Sequence, residues 1–401
     1  MSKRVGGFIN QDGLNAPDSP TGVSGTAGNE QVDVSFTAPS DVGGAAITGY
    51  RVTDSTGAHG ATGSSSPITV TGLTNDTSYT FNVWAINPFG WSSPSDASGG
   101  VTPFLPQRAF FNGGTISVSP DSTDQIDQFT ITTTGNAADW GNLTSTSDFS
   151  ASMSSSTRAV VFKGRNAGST TNQIDYFDIT STGNASDFGD DIVTQNDMVG
   201  ASNSTRGLAA GGSSVINTIR YVTIASTGNA TDFGDMTISR LSLGAVASPT
   251  RACFGGGFND GDASLYNLDI IDYVTIGSTG NATDFGDLTV GRNGVSASSS
   301  STRGVFFGGN SENTIDYITI ASTGNATDFG DLSSTSWNGG ASAAGLTRAL
   351  VGGTTGNAGN VAYVTIASTG NASDFGDLQL TGGTTFKRSM SACSNAHGGL
   401  S

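Results

Sequence analysis

Short alternations of apolar and polar residues, broken by glycine, asparagine and serine, run the length of the chain and predict strands rather than helices. Between Pro17 and about Thr102 the runs are Val32-Asp-Val-Ser-Phe36, Ile47-Thr-Gly-Tyr-Arg-Val52, Ile68-Thr-Val70 and Tyr79-Thr-Phe-Asn-Val-Trp-Ala85. Such spacing puts alternate side chains on one face of a half-buried sheet. From about Pro106 onward the pattern becomes a repeat. A phrase close to STGNATDFGD occurs six times, with glycines at Gly135, Gly183, Gly228, Gly280, Gly324 and Gly370, 44 to 52 residues apart.

Each repeat divides into four strands. A Ser/Ala-rich strand comes first, as in Asn293–Ser300, with side chains small enough for a crowded axis. A Thr-Arg turn then leads into Gly304-Val-Phe-Phe-Gly-Gly309. The third strand is Ile315-Asp-Tyr-Ile-Thr-Ile320, and the fourth begins at Asp328-Phe-Gly-Asp-Leu332. Between the last two, Ser-Thr-Gly-Asn predicts a tight turn in which Gly and Asn take positive φ. A period near 47 residues split among short strands predicts propeller blades rather than a helical solenoid. The ends fit closure. Arg108–Gly114 is a second strand with no first strand before it, and Arg388–Asn395 is a first strand with nothing after it. Joined, they complete one of six blades and leave no bare sheet edge.

Two resemblances follow from these residues. The segment from PDSPTGV through FTAPSDVGGAAITGY to GLTNDTSYTFNVWAINPFGWSSPS resembles a fibronectin type III domain, with Leu73 and Tyr79 in its tyrosine-corner region and Phe36 where a core Trp is usual. That resemblance implies an immunoglobulin-like sandwich and says little about a ligand. The repeat resembles kelch units, whose marks are an Arg, a diglycine, a Tyr and an outer-strand aromatic. The Arg is Arg108, Arg158, Arg206, Arg251, Arg303 and Arg348; the aromatic is Trp140, Phe188, Phe233, Phe285, Phe329 and Phe375. Lys163-Gly164 replaces one diglycine and the Tyr-to-aromatic gap of 12 residues is long, so the array is kelch-like. The wording of YVTIASTGNATDFGDL, SSSTRGVFFGG and CSNAHGGL is similar to repeat proteins of marine bacteriophages, cyanophages in particular, which implies a virion protein. The expected architecture is all-β: an arm over residues 1–16, a fibronectin type III-like sandwich over 17–105, and a six-bladed kelch-like β-propeller over 106–401.

Composition narrows the function. Gly is 58 of 401 residues and only 12% are charged, which disfavours helices. The net charge of −17 and the three lysines, Lys3, Lys163 and Lys387, argue against a nucleic-acid footprint or a polybasic membrane patch. No apolar run reaches the length of a membrane span, and no signal-peptide core stands at the N-terminus. Cys253 and Cys393 are too few for a disulfide framework, and opposite places in a six-membered ring would keep them apart.

Motifs with chemical associations reduce to structure. Asp-Phe-Gly recurs from Asp187 onward without the phosphate loop, lysine or catalytic loop of a kinase. Asn-Ala-Ser/Thr at Asn184, Asn229, Asn281, Asn325 and Asn371 matches a glycosylation sequon, yet Asn136 keeps the Asn in Asn-Ala-Ala, as a turn residue would. Copper oxidation of the kelch kind needs a pair of histidines, and His59 and His397 fall in different domains. Asn259-Asp-Gly-Asp-Ala-Ser264 offers oxygens for Ca²⁺ but lacks a bidentate Glu, so a solvated turn is expected. The repeated arginines either ring an anionic glycan or lock adjacent strands; six-fold repetition favours the lock.

The resulting expectation is a non-enzymatic virion protein, an appendage, fibre or surface decoration without cofactor. The arm and sandwich would attach it to other virion subunits, and the propeller would face outward, toward host-surface carbohydrate or protein. A bacterial cell-surface adhesin is the alternative; a glycan-active enzyme would need a carboxylate pair in a cleft. Specificity is expected where repeats differ, in Thr115–Asp124 and in Phe258–Tyr266. Phe258, Asn259, Asp260, Asp262 and Tyr266 are the candidate binding residues.

Overall fold

The computed structural model describes residues 14–400 apart from 76, 118–120, 215, 311, 336–338, 354–358 and 381–384. Most of the expected N-terminal arm, residues 1–13, lies outside the described residues. The chain divides into two compact units, Met1–Pro106 and Gln107–Ser401.

The first unit is a two-sheet sandwich. Thr21–Gly28, Gln31–Thr37 and Ile68–Thr71 form one sheet; Gly60–Gly63, Gly49–Asp54, Phe81–Asn87 and Gly90–Trp91 form the other. Alternation decides which side chains face inward. Val32, Val34 and Phe36 meet Tyr50, Val52, Phe81 and Val83 in one core, with the Phe36 and Tyr50 rings 4.8 Å apart. The Tyr79 hydroxyl accepts a hydrogen bond from the Thr74 N–H at 3.0 Å, tying the loop back across the corner. Beside the strand Phe81–Asn87, serines at every third position replace part of a regular ladder. The hydroxyls of Ser92, Ser95 and Ser98 accept from the N–H groups of Ala85, Val83 and Phe81.

Among its described residues the second unit contains six successive sheets of four or five strands and a two-stranded ribbon, Thr115–Ile116 with Lys387–Arg388. The third is Val199–Ser202, Arg206–Ala210, Thr218–Thr223 and Thr231–Asp235, and the fourth, fifth and sixth repeat that order. The second sheet carries an extra short strand, Arg165–Asn166. The first sheet takes its innermost strand from the far end of the chain: Ser391–Ser394 pairs antiparallel with Arg108–Asn112, Cys393 opposite Phe110 and Ala392 opposite Phe111.

Neighbouring sheets are bonded in cyclic order. In every repeat the glycine of the Ser-Thr-Gly turn (Thr-Thr-Gly at Gly135) donates its N–H to the outer aromatic's carbonyl in the preceding sheet: Gly183 to Trp140, Gly228 to Phe188, Gly280 to Phe233, Gly324 to Phe285, Gly370 to Phe329. The series returns to its start with Gly135 donating to Phe375 at 2.9 Å. The next residue, Asn, accepts through Oδ1 from the following N–H of that same outer strand, from Asn142 for Asn184 round to Asp377 for Asn136. This corrects the turn expected for Ser-Thr-Gly-Asn. None of these Asn residues has positive φ; each is selected as a side-chain acceptor that covers the neighbouring sheet's edge.

The outer strands explain Asp-Phe-Gly. The Phe is buried, and the Gly that follows lies against the STG carbonyl of the next sheet. A Cβ on Gly234 would meet the Gly280 carbonyl carbon at 2.5 Å, at a φ of 143° that side chains avoid. The triplet packs sheet on sheet.

Candidate functional site

Repeated side chains are consumed by the frame. Trp140, Phe188, Phe233, Phe285, Phe329 and Phe375 are 2–5% exposed, so they form no external stacking row; each ring contributes about 1.5–3 kcal/mol through burial. Five of them meet the repeat's Tyr edge-on, with centroids 5.7–6.0 Å apart. Over those Tyr faces lie the guanidinium groups of Arg158, Arg206, Arg251, Arg303 and Arg348, 4.3–4.8 Å from the centroid. The first sheet has Gln128 in the Tyr position, and there Arg108 covers Trp140 instead. Each Nη1 donates to a backbone carbonyl at the end of the third strand of the next sheet, from Arg108 to Ile179 round to Arg348 to Ile131. Each of the six arginines is thereby tied to the following sheet.

A second buried charge system escaped the sequence reading. Asp127, Asp175, Asp272 and Asp316 occupy one third-strand position and pair with Lys387, Lys163, Arg240 and Arg292 at 2.8–3.5 Å. In the third sheet the charges are exchanged, Arg220 with Asp191 at 3.2 Å, and in the sixth the position is Ala362. Burial pushes the Asp127 and Asp191 carboxyls up and holds Arg240 down, each against its partner's opposing pull. The signal was present as Ile-Asp-Tyr, with Ile219-Arg-Tyr221 as its reversal.

The axis is where the repeats stop matching in side-chain chemistry. Just before each innermost strand one residue takes positive φ: Phe149, Asp197, Ser242, Gly294, Gly339 and Ser389, at 51–69°. Each donates its N–H to the carbonyl of the equivalent residue in the preceding sheet, and Phe149 to Ser389 completes a six-membered backbone ring. Glycine satisfies this conformation freely, whereas the four other residues carry strain of about 1–3 kcal/mol each. The ring frames a cavity of about 300 Å³, lined mostly by serine, alanine and glycine together with Phe149, Asp197, Met198 and Arg388. The Asp197 carboxylate accepts from the Ser242 hydroxyl at 2.5 Å, and burial raises its pKa above the ordinary value of 3.8.

At the other end of the innermost strands the last residues fold across the axis, beside a void of about 50 Å³. Gly398 donates to the Ser299 carbonyl, and a Cβ there would lie 2.0 Å from the Ser300 oxygen. His397 Nδ1 accepts from the Gly399 N–H at 3.1 Å while Nε2 lies 3.0 Å from the Ser154 carbonyl. Those partners select the neutral ring with its proton on Nε2. Burial pushes the pKa from 6.5 down to about 4, although the Ser154 carbonyl opposes the shift. The unfolded chain therefore takes up a proton at this residue before the folded one does. Its contribution to stability is complete above about pH 6.5 and is lost as the pH falls toward 4. Calorimetry should show a falling Tm across that window, with a smaller fall in His397→Gln. Cys253 and Cys393 are free and buried, their thiols pushed up to about 12 by burial.

The bases of the variable loops are bonded to residues beside the axial ring. Phe258 exchanges backbone hydrogen bonds with Leu241, next to Ser242 of the ring. Thr115–Ile116 pairs with Lys387–Arg388, and Asp148 bridges Arg165. Phe258 and Tyr266 pack with centroids 5.4 Å apart, and Tyr266 is 53% exposed. Asn259 and Asp262 make local turn bonds: Asn259 Oδ1 accepts from the Gly261 N–H, and the exposed Asp262 accepts through Oδ1 from the Ser264 N–H and hydroxyl. Asp260 accepts from the Ser214 N–H at 3.3 Å. Among the described residues no three His, Cys, Asp or Glu side chains converge as metal ligands. Residues 118–120 of the first variable loop lie outside the described residues.

A fibronectin type III family model matches residues 18–100, and that segment is a fibronectin type III domain. Two solved structures, a multi-domain fragment of titin and titin kinase with its flanking domains, are each 33% identical over 22% of the chain, with TM-scores of 0.21 and 0.20. The matched part spans 32% and 17% of their lengths. No curated protein matches the chain.

Proposed function

We propose that residues 107–401 close into a six-bladed, kelch-like β-propeller and that the protein is a non-enzymatic display module of a phage particle. In this reading the fibronectin type III domain and the arm attach to other virion subunits. The propeller face carrying the variable loops meets the host surface, with carbohydrate as the expected ligand. The observation that carries the reading is the cyclic commitment of repeated groups: Arg guanidinium, Asn amide and outer aromatic all bond or pack between sheets. What remains free to vary is one face, where Phe258, Tyr266, Asp260 and the axial cavity gather. The wording of the repeats, similar to that of marine phage proteins, supports the particle assignment. Replacing Phe258–Tyr266 with the short loop of the fifth repeat tests the reading. Particles should assemble normally and lose most of their adsorption to host cells, and antibody against the propeller should label their exterior. Unchanged adsorption contradicts the loop face as the contact surface.

A further inference from the structure

We propose that the axial cavity is a saccharide site that takes one neutral sugar ring, with Phe149 as its stacking face and Asp197 as its hydroxyl acceptor; this deepens the display reading and rests on it. Residue and backbone are mismatched around the ring. Six equivalent positions need positive φ, and Gly294 and Gly339 meet that need without strain. Phe149 and Asp197 adopt φ of 51° and 59° in the same ring. Ser242 and Ser389 take the same conformation with small side chains, whereas Phe149 and Asp197 bring an aromatic ring and a carboxylate to the cavity lining.

Phe149 is also held ready. The Arg165 guanidinium lies 4.2 Å from its centroid and is itself fixed by two hydrogen bonds to Asp148, at 2.9 and 3.0 Å. A ring clamped in this way presents a surface at little entropic cost on binding. The lining then selects the ligand. The hydroxyls of Ser296, Ser342 and Ser389 make no hydrogen bond to described residues, and one Asp197 oxygen is free of such bonds as well. An apolar ligand would leave those groups without partners. A phosphate would need a cluster of cations, and Arg388 is the one cationic side chain in the lining. A pyranose matches both features, since its C–H face covers an aromatic ring while its hydroxyls bond serine and carboxylate. The volume of about 300 Å³ accommodates a single unit at the lower end of small-molecule sites.

The test uses the full chain, with saturation-transfer NMR and calorimetry against glucose, galactose, mannose and N-acetylglucosamine at millimolar concentration. At least one should bind, with NOEs between its C–H protons and the Phe149 ring in the unmodified protein. Phe149→Gly should weaken binding by about tenfold or more, on the scale of a lost anchor. Asp197→Asn, which keeps the backbone conformation and the Ser242 contact, should weaken it too. Absence of binding by all four sugars, NOEs to other residues alone, or preference for inorganic phosphate or a free amino acid would overturn the proposal. If loss of Phe258–Tyr266 abolishes adsorption while no sugar binds, the display reading stands and the saccharide site falls. If sugar binds at Phe149 and the loop exchange leaves adsorption intact, the saccharide site stands and the loop face falls.

Discussion

Removal of residues 388–401 is expected to cost the second unit its native fold. The deletion takes Ser391–Ser394 away from Arg108–Asn112 and bares a strand whose Phe110 and Phe111 are fully buried. It also removes Met390 and Cys393 from two core clusters, together with the Ser389 link of the axial ring. Two seams open at once, because Ser154 Oγ bonds the Ser394 carbonyl on one side and Ser394 Oγ bonds the Ala344 carbonyl on the other. Newly exposed edges pair between molecules. Size-exclusion chromatography should show aggregates, and circular dichroism should lose the cooperative melt. A truncated protein that stays monomeric and melts with the full-length chain contradicts this expectation.

Asp272→Ala should destabilise the protein by about 3–5 kcal/mol, because it leaves the guanidinium of Arg240 buried and unpaired. Both side chains are 0% exposed, and the link between them is 2.9 Å. Arg240 would keep its bonds to the Ile270 and Phe254 carbonyls, which compensate only part of the lost carboxylate. The double variant Asp272→Ala with Arg240→Met should recover most of the loss, to within about 1 kcal/mol of the original protein, since a buried pair offsets little beyond its own desolvation. The molecule already contains the comparison: the sixth sheet carries Ala362 at this position, and the third reverses the charges. Urea unfolding of the two single variants and the double gives the coupling directly. A double variant as unstable as the single would mean that the pair itself, rather than its balance, holds the sheet.

Those two cases show what the sequence could and could not disclose. Val32, Val34 and Phe36 were legible because a strand exposes its burial pattern every second residue. The completion of the first sheet by Ser391–Ser394 followed from counting strands. The arginines and outer aromatics were legible because a structural demand that recurs six times selects the same residue six times. The ion pairs were harder to read: Lys387, Arg240 and Arg292 each stand two residues before the axial-ring residue, but Ser147 and Gln195 hold that place in the second and third repeats, and Lys163 reaches Asp175 from the diglycine position instead. The axial ring left no trace in residue type: Phe149, Asp197, Ser242, Gly294, Gly339 and Ser389 share only a backbone conformation. Serines 92, 95 and 98 were hidden for a similar reason, as side-chain acceptors standing in for ladder bonds. The role of His397 was hidden, because it depends on the distant Ser154 and Ser202.

The account turns on cyclic bonding between the sheets, and amide hydrogen exchange at the six STG glycines measures it most directly. Five of these amides join sheets that follow one another in the chain; the sixth, Gly135, joins the first sheet to the last through the Phe375 carbonyl. With the ring closed, Gly135 and Ala137 exchange as slowly as Gly183, Gly228, Gly280, Gly324 and Gly370. If Gly135 and Ala137 exchange at the rate of a free sheet edge while the other five glycines stay protected, the seam between the first and sixth sheets is open and the propeller reading is wrong.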